Sequence, residues 1–148
     1  MKLSENFSLA EMTKSQTALR KGIDNIPDQT SIDNMAKLCT EILQPVRDHY
    51  GIPFTPSSGY RCPELCIAVG SNIESQHAKG QAADFEVPGI SNMELAEFII
   101  ETLPFDQLIL ECFTGGNTGW VHCSYVHEPR KEVLTYDRAN GYRKGLIG

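Results

Sequence analysis

Asp106-Gln-Leu-Ile-Leu-Glu-Cys-Phe113 and Trp120-Val-His-Cys-Ser-Tyr-Val126, joined across Thr114-Gly-Gly-Asn-Thr-Gly119, read as two strands of an antiparallel hairpin. Both runs mix β-branched and aromatic residues, and the segment between them carries glycine-rich turn chemistry. Pairing Phe113 with Trp120 around the six-residue loop sets Glu111 directly opposite His122. Directly opposed residues share a sheet face, with Cβ atoms roughly 4.5–5.5 Å apart. Leu110, Cys112, Val121 and Cys123 then point the other way, toward a core, which suits their apolar character. One face of the hairpin is polar and reactive, the other buried. A carboxylate beside a metal site is what a general base for hydrolysis requires. The same pairing also fits a Glu/His hydrogen bond on a solvated face, and hairpin geometry alone leaves both open.

Upstream, Ala82 to Val87 reads as a further strand. It follows Gly70-Ser-Asn-Ile-Glu-Ser-Gln-His-Ala-Lys-Gly80, a polar loop longer than a simple connection needs. His77 lies in that loop, and Gly80 can turn the chain so that Asp84 comes back toward the imidazole. Catalytic zinc sites take three protein ligands from His, Asp, Glu and Cys and keep one position open; His122 is a credible third. Spacing alone also allows Asp84 to cap a turn or to pair with Lys79. Glu86, on the same strand face as Asp84, is a second candidate base. His49 ends a helical stretch, where a cation favours the helix dipole, and His127 has no evident partner.

The remaining pattern is largely helical. Ser8 and Glu11 form a capping box for a short helix, and Ile32, Met35, Leu38, Cys39, Ile42 and Leu43 recur at helical spacing toward His49 and Gly51. Ile52 to Gly59 reads as a short strand leading into a turn, and Pro63 to Val69 as one or two helical turns. Ser91-Asn-Met-Glu opens another helix that Pro104 stops after Leu103. The charged tail from His127 onward suggests no element. Together these imply an α+β fold, a small antiparallel sheet with flanking helices, in a single domain over residues 1–148.

The 148 residues suit one such domain. Area scaling gives a folded surface of about 7,500 Å² against about 23,800 Å² unfolded, so about two thirds can be buried without a disulfide or metal. A hydrophobic share of 41% with 22% charged residues excludes disorder and coiled coil. The net charge of −6, with no dense basic run, argues against a nucleic-acid partner. The opening segment has no apolar h-region and nowhere do 18 apolar residues run together, so neither a signal peptide nor membrane insertion is expected. Five cysteines without an export signal read as reduced thiols, and Cys62 and Cys66 lack the partners of a zinc ribbon.

Ser57-Ser-Gly-Tyr-Arg-Cys-Pro-Glu-Leu65, Ser75-Gln-His-Ala-Lys-Gly-Gln-Ala-Ala-Asp84 and Gly119-Trp-Val-His122 resemble the signature blocks of the zinc D-alanyl-D-alanine carboxypeptidase family. More closely, they look like its small phage and prophage branch of peptidoglycan peptidases. The likeness spans nearly the whole chain, including Asn6–Thr13, Leu43–Arg47 and Phe105–Ile109. It implies a Hedgehog/DD-peptidase fold and Zn²⁺ held by His77, Asp84 and His122. Arg61 would face the substrate and stabilise the scissile carbonyl or a neighbouring carboxylate, a task its planar donors suit. Ser75 would support the site or hydrogen-bond substrate.

Two positions depart from the family pattern. Relatives often carry Glu-x-x-His, with the base three residues before the last ligand, but that position here is Gly119, so the base is assigned to Glu111. Cys66 stands where Asn is usual, and a single Gly70 replaces a pair. The activity implied is hydrolysis of a bond in the peptidoglycan stem peptide, as a carboxypeptidase or an endolysin-type endopeptidase, by a monomer. It would be made in the cytoplasm of a bacterial host and released at lysis, or be carried in a virion. The alternatives are a zinc-containing binding module without catalysis and a virion structural protein.

Overall fold

Apolar residues at helical spacing wind residues 29–50 into one continuous rod, with Met35, Leu38, Ile42, Leu43 and Val46 fully buried along one side. The computed structural model describes Met1–Gly148. The rod is not a uniform α-helix. α3 (Gln29–Leu38) passes through a π-turn (Cys39–Leu43) into α4 (Gln44–Tyr50), preceded by α1 (Leu9–Thr13) and α2 (Gln16–Lys21). Pro45 explains the interruption, because its ring would strike the carbonyl four residues back and it has no N–H to donate. In the widened turn the Gln44 N–H reaches the Cys39 carbonyl instead, five residues away. Gly51, in the left-handed conformation, ends the rod where expected.

The capping box predicted at Ser8 forms in full, with Glu11 reaching back to the Ser8 backbone. Ser91 caps α6 (Asn92–Thr102), which ends before Pro104, and α5 spans Pro63–Ala68. Helix α2, capped by Ser15, has no expected counterpart of its own within the helical first third. Ile52–Gly59 is not a strand. Only Ser58 pairs, through an isolated bridge to Asp84, because Pro53 and Pro56 remove ladder donors.

The sheet has five strands in the order β1-β3-β2-β4-β5: β1 (Ala82–Phe85), β2 (Gln107–Glu111), β3 (Trp120–Ser124), β4 (Glu132–Asp137) and β5 (Gly141–Lys144). It is mixed rather than antiparallel, since β4 runs parallel to β2. The tail that gave no sequence signal supplies β4 and β5. Ala83, Phe85, Leu108, Leu110, Val121 and Cys123 lie on one face and join the core with Leu38, Ile42, Leu95 and Ile99. Cys39, Cys62, Cys66 and Cys123 are buried as small hydrophobes. The accessible surface is 7730 Å², close to the area expected from mass.

The β2/β3 register differs from the expectation by two residues. Glu111 faces Trp120, and His122 faces Ile109. Pairing stops at Glu111 because Cys112 turns to φ 55 and donates its N–H to the Tyr136 carbonyl on β4. Cys112 is therefore half-buried outside the strand rather than a core residue. A slip of two keeps side-chain parity, so Glu111 and His122 still share a face, as diagonal rather than direct neighbours.

Candidate metal centre

His77 sits in a single 3₁₀ turn, Gln76–Lys79, whose start is capped by the Ser75 hydroxyl accepting from the His77 N–H at 3.2 Å. Gly80 ends the turn at φ 72, against helix α3; a Cβ there would lie 2.4 Å from the Ser31 carbonyl oxygen. Only glycine meets both demands. The turn is also tied to the segment after Ser58. The Arg61 N–H donates to the His77 carbonyl at 3.1 Å, and His77 Nδ1 lies 2.7 Å from the Gly59 carbonyl oxygen. A carbonyl accepts only, so Nδ1 carries the proton and Nε2 is left as a lone-pair donor.

Asp84 and His122 come from neighbouring strands and are directly paired in the β1/β3 register. Asp84 Oδ1 lies 3.0 Å from His122 Nδ1 and 3.4 Å from His77 Nε2, and all three side chains are buried. The three ligand atoms fall within 4.8 Å of one another, a group that could hold a metal ion. Two ligands of a tetrahedral zinc, each about 2.0–2.1 Å from the ion, lie about 3.3 Å apart, which the two separations to Asp84 Oδ1 match. The donor set of two imidazoles and one carboxylate also fits.

The electrostatics point the same way. Burial pushes the His77 imidazole below its ordinary value, although Asp84 pulls in the opposite direction. A neutral imidazole is the form a metal binds. Burial opposes charge on Asp84, yet the imidazoles packed against it, His122 at 3.0 Å foremost, hold its carboxyl well below the usual carboxylate range. Asp84 Oδ2 faces Arg61 Nη2 at 3.2 Å, while Arg61 Nε donates to the Ser58 hydroxyl at 2.9 Å. Lys79 is not its partner.

The group opens into a cleft of about 520 Å³ whose lining includes Arg61, Ser75 and Glu111. Glu111 Oε2 accepts from Trp120 Nε1 at 2.9 Å, which fixes the carboxylate on the metal-group face. Burial first, and then the nearby Asp84 charge, push the Glu111 carboxyl above its ordinary value. Glu86 is elsewhere. It is exposed beyond the end of β1, accepts from Asn92 Nδ2 at 3.1 Å and borders a different groove. His49 stacks on Phe98 at 4.0 Å between ring centroids, away from the cleft.

A family model described as Peptidase M15 matches residues 5–124. The chain belongs to the peptidase M15 family. A search of curated proteins finds no significant match. The three ligand candidates together with Arg61, Ser75 and Glu111 lie within the matched segment and border one cleft, which Glu86 does not.

Other residues lining this M15 peptidase cleft, or bracing it from behind, have no role assigned from sequence. Trp120, a strand residue of the Gly119–His122 block with no role of its own assigned from sequence, pairs with Glu111 and is the carboxylate's donor. Buried Asp106 accepts from Arg130 N, Nε and Nη2 at 2.9, 3.0 and 2.8 Å and from Gln76 Nε2 at 2.9 Å. Asn25, read as part of a break, donates to the Thr13 and Tyr60 carbonyls and accepts from the Cys62 N–H. It thereby staples the Arg61 segment in place. Such long-range polar contacts leave no periodic trace in sequence.

Proposed function

We propose that this M15 peptidase is a zinc enzyme that hydrolyses a peptide bond in the stem peptide of bacterial peptidoglycan, on a Hedgehog/DD-peptidase type of domain. The observation that carries this reading is the convergence of His77, Asp84 and His122 beside Glu111 and Arg61 in one cleft. A bound zinc ion would polarise the scissile carbonyl and make water a nucleophile at neutral pH. Glu111, held by Trp120, takes the proton from the attacking water and returns it to the leaving amine. Its raised proton affinity suits a group that must both accept and release a proton.

Arg61 already commits Nε to Ser58 and Nη2 to Asp84, which leaves Nη1 to meet a substrate carbonyl or carboxylate oxygen. The Ser75 oxygen accepts from the His77 N–H, so its own proton remains for substrate. The likeness to phage and prophage enzymes supports action at host lysis or from a virion.

The test is Glu111→Gln with zinc content measured alongside turnover. Loss of the base lowers kcat by about 10²–10⁴-fold at unchanged zinc stoichiometry. Mass spectrometry of muropeptides after digestion identifies the bond cut. Hydrolysis by the Gln variant at the wild-type rate would remove Glu111 from the mechanism, and no product from zinc-loaded wild type would remove the peptidase reading.

A further inference from the structure

The family match stops at Ser124, yet the chain beyond it continues the floor of the same cleft. Across the sheet, Trp120 pairs with Glu111, Glu111 with Tyr136, and Tyr136 with Tyr142. Partners in register share a face, so the two tyrosines extend the surface that carries the metal group and Glu111. Their rings lie 4.6 Å apart between centroids. Tyr142 borders the cleft that also holds His77 and His122, and it remains 62% exposed. Tyr142 is thus an exposed ring, held beside Tyr136 at the edge of the cleft, whose free face can take a ligand.

The hairpin is not a loose appendage. Arg130 grips buried Asp106 through three donors, and the Glu132 N–H donates to the Asp106 carbonyl at 2.9 Å, fixing the start of β4 against β2. Thr135 Oγ1 donates to the Gly145 carbonyl at 2.7 Å and closes the far end. Neighbouring strands lie about 4.8 Å apart, so the Tyr142 backbone stands about 10 Å from that of Glu111 and about 14 Å from that of Trp120 in the same row. An extended peptide advances about 3.3 Å per residue, which makes this span three to four residues.

We propose that Tyr142 is a specificity-determining residue, stacking on the part of an extended peptide substrate that lies three to four residues from the scissile bond on the β5 side. The inference rests on the peptidase reading above. It makes this chain select longer peptides over short ones, a preference supplied by residues outside the family-matched segment.

The experiment compares zinc-loaded wild type, Tyr142→Ala and Tyr142→Phe on a soluble muropeptide and on its truncation to two residues either side of the cut bond. For the long substrate, Tyr142→Ala raises KM about 5–10-fold with kcat within twofold, and Tyr142→Phe restores KM, consistent with ring stacking. For the short substrate the three proteins are alike. Calorimetric binding of the long peptide to zinc-loaded Glu111→Gln protein, with and without Tyr142→Ala, reads the contact without turnover and weakens by the same factor. Hydrolysis with a KM that Tyr142→Ala leaves unchanged, or changes equally at both lengths, overturns this inference and spares the peptidase reading. Binding without hydrolysis by wild type overturns the peptidase reading and spares the contact. Absence of both overturns both.

Discussion

Replacing Gly119 by alanine tests whether one backbone contact sets both stability and the position of the proposed base. Gly119 has φ 69, and a Cβ built there would lie 2.0 Å from the Glu111 carbonyl oxygen, with Cys112 C and O at 2.7 and 2.8 Å. All three are backbone atoms, so no side-chain rotation relieves the overlap. Strand β2 must move by about 1.4 Å to restore ordinary contact. The left-handed conformation costs alanine about 1 kcal/mol, and forced backbone displacement typically adds 1–3 kcal/mol, so the total is about 3 kcal/mol. For a chain of this size that lowers Tm by about 6–12 °C. Gly89→Ala is the control, because Gly89 has φ 80 but nothing within 4 Å of its Cβ position, and it should lose only the conformational part. The displaced residue is Glu111 itself, and a misplacement of about 1 Å near reacting groups costs about 10²-fold in rate. Urea unfolding gives the stability difference, and kcat/KM on muropeptide with zinc content gives the functional one. If Gly119→Ala matches Gly89→Ala within about 0.5 kcal/mol and keeps wild-type kcat/KM, the close approach does not govern the site.

Acid sensitivity should trace in part to Asp106. Burial opposes its charge, but hydrogen bonds from Arg130 and Gln76 hold its carboxyl at about 2, below the ordinary 3.8. A depressed carboxylate stabilises the fold above the unfolded value and loses that contribution as pH falls from about 4 toward 2. With Arg130 half exposed, the contribution is about 1–2 kcal/mol after screening. The stability gap between wild type and Asp106→Asn should therefore shrink by this amount between pH 5 and pH 2 in urea titrations; a constant gap refutes the assignment. Zinc should bind the folded chain at one equivalent and be lost from both His77→Ala and His122→Ala, measured by elemental analysis. At a free zinc concentration of 100 Kd the linkage is about 2.7 kcal/mol, or a rise in Tm of about 5–11 °C that chelator reverses. Undiminished stoichiometric zinc in both variants would end the ligand assignment.

The parts of the fold that were legible are those whose signals are local. Ser8 with Glu11, Ser91 with Glu94 and Gly51 each mark a helix end by chemistry contained within a few residues. The π-turn ahead of Pro45 and the mixed sheet were not legible, because each depends on contacts set elsewhere. Glu132-Val-Leu-Thr-Tyr-Asp137 forms β4 by lying parallel to β2 on one side and antiparallel to β5 on the other, and its half-buried alternation is too polar to stand out from a charged tail. The ion pair that holds it, Arg130 on Asp106, joins residues 24 apart.

Glu111 keeps its place on the ligand face despite the two-residue shift in register, for a physical reason. Side chains alternate with a period of two, so moving the hairpin partner by two residues changes distances along the strand and leaves the faces intact. The shift itself arises at the loop, where Cys112 at φ 55 and Gly119 at φ 69 end the ladder before the Phe113–Trp120 pair that sequence favours. The same two residues account for where the candidate base stands. Enzymes that this sequence resembles often place a glutamate three positions before the last ligand, and here that position is Gly119. A side chain at 119 would meet the Glu111 carbonyl, so in this hairpin geometry β2 and the loop residue exclude one another as the source of the carboxylate. The glycine lets β2 approach closely enough for Trp120 to hold Glu111 at 2.9 Å on the face of His122. The departure from the family pattern and the location of the carboxylate are thus two consequences of one backbone contact.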